Sequence, residues 1–144
     1  MSRRRAYITA PWWHPDPAVR EWNTCRAELL GRLAEHDGYE PVVVHRALMD
    51  AGMDDGADPE AREAGLQRTC QTVREIAAEG GAIYGLTNDA GCLTSGTGRE
   101  LEAWWDVPHV EGARYCWGRW RGFRWEMERA GLGAEWAALR VRPC

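Results

Sequence analysis

The residues Thr94-Ser95-Gly96-Thr97-Gly98-Arg99-Glu100-Leu101 bring three hydroxyl side chains, two glycines and one carboxylate into little more than two helical turns of chain. Gly96 and Gly98 leave room for backbone to approach a ligand, and a helix opening here presents unpaired N–H groups. Glu100 then stands about one turn inside that helix. Such a set suits a sugar or phosphate bound beside an acid. The same residues also read as a hydroxyl-capped helix whose early glutamate complements the helix dipole.

The chain of 144 residues suits one domain with its own core. Eighteen basic against twenty-two acidic side chains leave a formal charge of −4, so a nucleic-acid partner is not the expectation. Every basic residue is arginine, which excludes Schiff-base lysine chemistry and a P-loop lysine. The five cysteines are odd in number and form no C-x-x-C pair. They read as thiols of a cytoplasmic protein, without a disulfide framework, a zinc site or any other metal or cofactor. Arg3-Arg4-Arg5 precedes an apolar run that stops at Pro11, so no secretory or membrane-spanning segment is expected.

Elements that would position the acid are legible from patterning. Residues 6–10 form a short β-prone run ended by Pro11. Val19, Trp22, Leu29, Leu30 and Leu33 recur at helical spacing over residues 17–35, with Asp16 as cap and Asp37-Gly38 as stop. Residues 42–44 are three valines, the pattern of a strand covered on both faces, with His45-Arg46 at its end. An acidic stretch, residues 50–63, leads into a second helix running from Pro59 to Gly80-Gly81, and residues 82–86 form a third strand. This alternation predicts an α/β chain, a three-layer doubly wound fold with a small parallel sheet of the flavodoxin or Rossmann type.

In such sheets ligands lie beyond the carboxyl ends of the strands, so residues 11–14, His45-Arg46 and residues 87–100 should converge. Within them Trp12 and Trp13 offer either flat walls for a base or core packing. His45 reads as a ligand contact or a hydrogen-bonded strand-end histidine. Asp89 is either a proton donor or the shaper of the turn Asn88-Asp89-Ala90-Gly91.

These segments together resemble the nucleoside 2-deoxyribosyltransferase superfamily over residues 6–105. The opening Tyr7-Ile8-Thr9-Ala10-Pro11-Trp12-Trp13 is similar to the first strand and turn of its members. Thr94, Gly96, Thr97 and Glu100 meet the superfamily's small-x-Gly-small-x-x-Glu nucleophile motif, and His45-Arg46 resembles its nucleotide-hydrolase relatives. Asp58-Pro59-Glu60, with Arg62, Gly65 and Leu66, is similar to an uncharacterised branch of small phage and bacterial proteins. The resemblance implies cleavage or exchange of the N-glycosidic bond of a nucleoside or nucleotide, with Glu100 as nucleophile and Asp89 as the nearby acid. It also implies a ligand site built from Tyr7, Ala10, Pro11, Trp12, Trp13, His45, Arg46, Thr94, Ser95, Gly96 and Thr97. A catalytically silent nucleotide sensor on the same fold is the alternative. Two departures stand out: residues 69–72 carry no carboxylate where many members have an aspartate, and Trp13 replaces an arginine found in relatives acting on monophosphates.

After Glu100 the sheet's next apolar strand is expected to be either missing or disguised within residues 104–110. In residues 106–144, a Trp/Arg-rich C-terminal extension, Trp117, Trp120, Phe123 and Met127 fall at spacings of an amphipathic helix facing the core or a second subunit. A homo-oligomer is therefore expected, with neither membrane nor nucleic acid as partner.

Overall fold

A computed structural model describes residues 3–52, 58–88, 90–108 and 110–143. Its frame is a four-stranded, all-parallel sheet with helices on both faces, the three-layer flavodoxin- or Rossmann-like α/β arrangement. In chain order the elements are β1 (Arg5–Thr9), α1 (Pro17–His36), β2 (Glu40–Val42), α2 (His45–Asp50), α3 (Pro59–Ala78), β3 (Ala82–Leu86), α4 (Ser95–Trp105) and β4 (Arg114–Gly118). A 3-10 turn (Trp120–Phe123), α5 (Arg124–Arg129) and α6 (Gly133–Ala138) complete the chain.

The two long helices start by one device. Asp16 accepts a hydrogen bond from Ala18 N at 2.9 Å and Asp58 from Ala61 N at 3.1 Å, each just ahead of a proline that opens the helix. Both end in a glycine with positive φ, Gly38 at +100° and Gly80 at +77°, which turns the chain back toward the sheet.

The strand order is β2-β1-β3-β4. Tyr7 of β1 lies opposite Val42 of β2 on one side and Ile83 of β3 on the other, so β1 and β3 are the inner strands. Alternation of side chains divides the core in two. Ala6, Ile8, Ala82, Tyr84 and Leu86 face α1 and the C-terminal turns, packing with Leu30, Leu33, Phe123 and Met127. On the opposite face Tyr7 and Ile83 pack with Val73 and Ile76 of α3 and Leu101 and Trp104 of α4.

Three expectations are corrected. The valine run is not a strand covered on both faces: β2 stops at Val42, lies at the sheet's edge and is only half-buried, because the chain must leave there for α2. Residues 104 and 105 end α4, and the fourth strand is instead Arg114–Gly118, which carries arginine and exposed aromatics because it borders solvent. Trp117 belongs to that strand and is exposed, whereas Trp120, Phe123 and Met127 are buried against the α1 face. The C-terminal segment thus supplies both a strand and part of a helical layer.

Gly81 marks the tightest packing of this frame. A Cβ there would lie 2.3 Å from the Arg5 carbonyl oxygen and 2.6 Å from Ile76 Cγ2. Gly81→Ala should therefore lower the unfolding free energy by about 1 to 3 kcal/mol, the usual cost of overpacking. Urea denaturation followed by tryptophan fluorescence reads this directly, and an unchanged midpoint would contradict the close approach.

Candidate active site

The order β2-β1-β3 places a topological switch between β1 and β3: the chain leaves β1 for α1 on one face and leaves β3 for α4 on the other. Thr94 begins α4 as its cap, its hydroxyl accepting from Thr97 N at 3.5 Å. This start sets Glu100 on the side of α4 that faces β1. Tyr7 and Thr9, two apart on the strand, project to that same face. The Tyr7 hydroxyl donates to Glu100 Oε2 at 2.5 Å and the Thr9 hydroxyl to Oε1 at 2.7 Å. Glycine at 85, opposite Thr9 in β3, leaves Thr9 room beside Leu101.

Glu100 is only 8% exposed. Burial pushes its pKa above the ordinary glutamate value, while hydrogen bonds from Tyr7, Thr9 and Thr69 pull the other way. Burial and the adjacent Glu100 charge likewise raise the Tyr7 phenol, so it remains a donor throughout the neutral range. The result is a desolvated carboxylate with both oxygens oriented, each retaining further lone pairs.

His45 reaches the same strand end from the opposite side. It is buried at the first position of α2, its Nε2 3.1 Å from the Ala10 carbonyl oxygen. A carbonyl only accepts, so Nε2 carries the proton; burial also lowers the His45 pKa, which favours the neutral ring. Nδ1 is then a bare acceptor with no partner among the described residues. The Trp12 and Trp13 Nε1 atoms and Thr97 Oγ1 are also buried without a partner among them. Unsatisfied buried polar groups are uncommon, and here they flank the ends of β1, β2 and β3.

The remaining expected residues divide. Ala10 and Pro11 continue β1 into the loop, and Trp12 is anchored there by Asn23 of α1, whose Nδ2 donates to the Trp12 carbonyl at 2.9 Å. Gly96 and Gly98 lie in the first turn of α4, where an added Cβ would meet protein atoms no nearer than 4.0 and 3.9 Å. Ser95 is exposed and its hydroxyl accepts from Arg62. The Arg46 guanidinium turns to α1 and pairs with Glu21 and Glu28, each at 2.7 Å, because those carboxylates lie along the helix face beneath α2. Asp89 lies outside the described residues. Sequence reasoning missed Thr9, Asn23 and Thr69; the two-residue strand period linking Thr9 to Tyr7 was the available signal.

No family model, curated protein or solved structure matches this chain. Among the described residues no cluster of ligating side chains could hold a metal ion, and no helix is long and apolar enough to cross a membrane.

The pH dependence of stability follows from Glu100. Its pKa is higher folded than unfolded, so folded protein binds the proton more tightly and the ionised group costs stability at neutral pH. That cost is lost as the pH falls through the folded pKa toward the ordinary value of 4.5. Glu100→Gln should therefore unfold at higher urea concentration than the parent at pH 7, with the gap closing toward pH 4.5. A gap that widens on acidification would contradict this account.

Proposed function

We propose that the chain binds a nucleoside-like ligand at the carboxyl ends of β1 and β3 and cleaves or exchanges its N-glycosidic bond through Glu100. The observation that carries this reading is the buried carboxylate at the switch point, aligned by Tyr7 and Thr9. A glycosidic carbon departs from its base through an oxocarbenium-like transition state, and a carboxylate on the opposite face either stabilises it or forms a covalent glycosyl intermediate. Glu100 attacks the anomeric carbon as the bond to the base breaks; a second base or water then attacks that carbon and releases the carboxylate. Desolvation strengthens the attraction between Glu100 and the developing positive charge. The two hydroxyl donors keep the carboxylate in one orientation.

In this reading Trp12 and Trp13 meet the base, and the buried His45 Nδ1 and Thr97 hydroxyl, without partners among the described residues, receive sugar or base hydrogens. Exchange between bases is the favoured activity, with hydrolysis as the same-mechanism alternative; nucleosides are favoured over monophosphates because the indole of Trp13 cannot neutralise a phosphate dianion. A silent ligand-binding protein is the second reading. It is favoured by the engagement of both Glu100 oxygens and by Thr69, rather than a second carboxylate, acting on Glu100.

Incubation with each deoxynucleoside and its monophosphate, with and without a second base, followed by chromatography, separates these readings. Glu100→Ala should abolish nearly all base release while ligand binding persists. Retention of more than about a tenth of the rate would correspond to roughly 1.4 kcal/mol or less, too little for a nucleophile. Ligand binding without turnover in the parent protein would select the silent reading.

Self-association belongs to the same proposal. Tyr115 and Trp117 on the open edge strand β4 stand beside Trp105, with ring centroids 5.1 and 5.4 Å apart along the row, and all three are exposed. Light scattering at micromolar concentration should report a dimer or larger, and Trp117→Arg should shift it toward monomer. A clean monomer of the parent would remove this part of the reading.

A further inference from the structure

A second concave site lies on the α1 face, beyond the carboxyl end of β4. Its lining is Trp22 and Arg26 from α1, Arg119, Trp120 and Arg121 directly after β4, and Arg140 after α6, around about 230 Å³. Four arginines therefore line one cleft, and no Asp or Glu among the described residues lines it with them, in a chain with a formal charge of −4. Several arginines elsewhere pair with a carboxylate: Arg5, Arg46, Arg99 and Arg129 each face a glutamate. In the cleft, Arg121 and Arg140 are exposed, and their guanidinium groups have no carboxylate or other hydrogen-bond partner among the described residues.

The walls are built to hold position. Trp22 Nε1 donates to the Leu139 carbonyl at 2.9 Å and Trp136 Nε1 to the Trp120 carbonyl at 3.0 Å, tying α1, the 3-10 turn and α6 together. Arg26 is only 2% exposed, lies 3.5 Å over the Trp22 ring and donates to Asn23 Oδ1 at 2.8 Å. Arg119 crosses to the loop after β3, donating to the Ala90 carbonyl at 3.1 Å.

We propose that this cleft is a binding site for the phosphate group of a small molecule. Convergent like charges repel one another, and an anion seated among them relieves that repulsion. Phosphate fits better than a carboxylate. A single guanidinium serves both oxygens of a carboxylate, whereas the several oxygens of a phosphate accept from forks arriving in different directions. The volume falls below the roughly 300 to 1,000 Å³ of drug-sized sites, which suits a compact ligand rather than a polymer. The site is separate from Glu100 yet linked to both loops beside it. Asn23 joins Arg26 to the Trp12 carbonyl, and Arg119 holds the loop after β3, so a bound phosphate would steady the entrance to the candidate active site.

Calorimetry with inorganic phosphate, deoxyadenosine 5′-monophosphate and deoxyadenosine tests this on the full chain. Both phosphate compounds should bind, more weakly as salt is raised. The double variant Arg121→Gln/Arg140→Gln, altered only at exposed positions, should lose about tenfold or more in affinity for both, as when charge-assisted hydrogen bonds are removed. Its thermal midpoint should match the parent's. Glu100→Gln should bind inorganic phosphate as the parent does, which keeps this site distinguishable from the glycosidic reading. Equal phosphate affinity in parent and double variant, or no heat with either phosphate compound at millimolar concentration, would overturn the proposal. So would tight, steeply salt-dependent binding of a single-stranded oligonucleotide without binding of the monophosphate, which would assign the cleft to nucleic acid.

Discussion

Keeping a carboxylate out of water at the end of a sheet is the constraint around which this structure is arranged. An unpaired buried ion costs several kcal/mol even after relaxation, and hydrogen bonds to a charged group return about 1.5 to 3 kcal/mol each. Tyr7 and Thr9 supply two such bonds from one strand. Among the described residues no arginine pairs with Glu100, so its charge is oriented by hydroxyl dipoles and not neutralised by an ion pair. A group held this way is available to an incoming positive centre, whereas one locked to a guanidinium would have to give that partner up.

The sheet order makes this arrangement possible. Because the connection from β2 to β3 crosses over β1, the strand bearing Tyr7 and Thr9 becomes an inner one, with α4 across its face and α1 behind it. Three connections then deliver groups to one strand end: Glu100 from α4, His45 from α2 and Asn23 from α1. Each is attached to a rigid element, which limits the motion of the site to the loops between them. The C-terminal segment closes the α1 face with Trp120, Phe123 and Met127 and borders the sheet with β4, so it is part of the core and not an appendage.

Arginine is the sole basic side chain, and its distribution is uneven. Around α1 and α2 it bridges helices through Glu21 and Glu28, contacts that are half-exposed and worth little individually. Asp37, almost covered, gathers Tyr84, Arg114 and Arg129 at the opposite end of the sheet, with the Tyr84 hydroxyl 2.5 Å away. The cleft after β4 instead gathers four arginines with no Asp or Glu among the described residues in its lining.

Local signals in the sequence were sufficient wherever one element's chemistry decides the outcome. Asp16-Pro17 and Asp58-Pro59 announce the long helices, Gly38 and Gly80 end them, and Thr94 to Glu100 opens α4 as its cap and spacing require. Those features depend on neighbours a few residues away, and so the parallel α/β class and the location of the acid were legible. Pairing was not: the edge position of β2, the identity of β4 and the diversion of Arg46 to α1 depend on which distant segment lies alongside. Three valines look like a strand covered on both faces, yet only Val42 belongs to β2, which lies at the border where the chain departs for α2. An aromatic-arginine strand looks like helix because spacings of three and four fit Trp120, Phe123 and Met127, which do turn helically after it. That Glu100 would be buried, and that Tyr7 and Thr9 would hold it, was decided only in three dimensions, since a carboxylate's environment is set by residues more than ninety positions away.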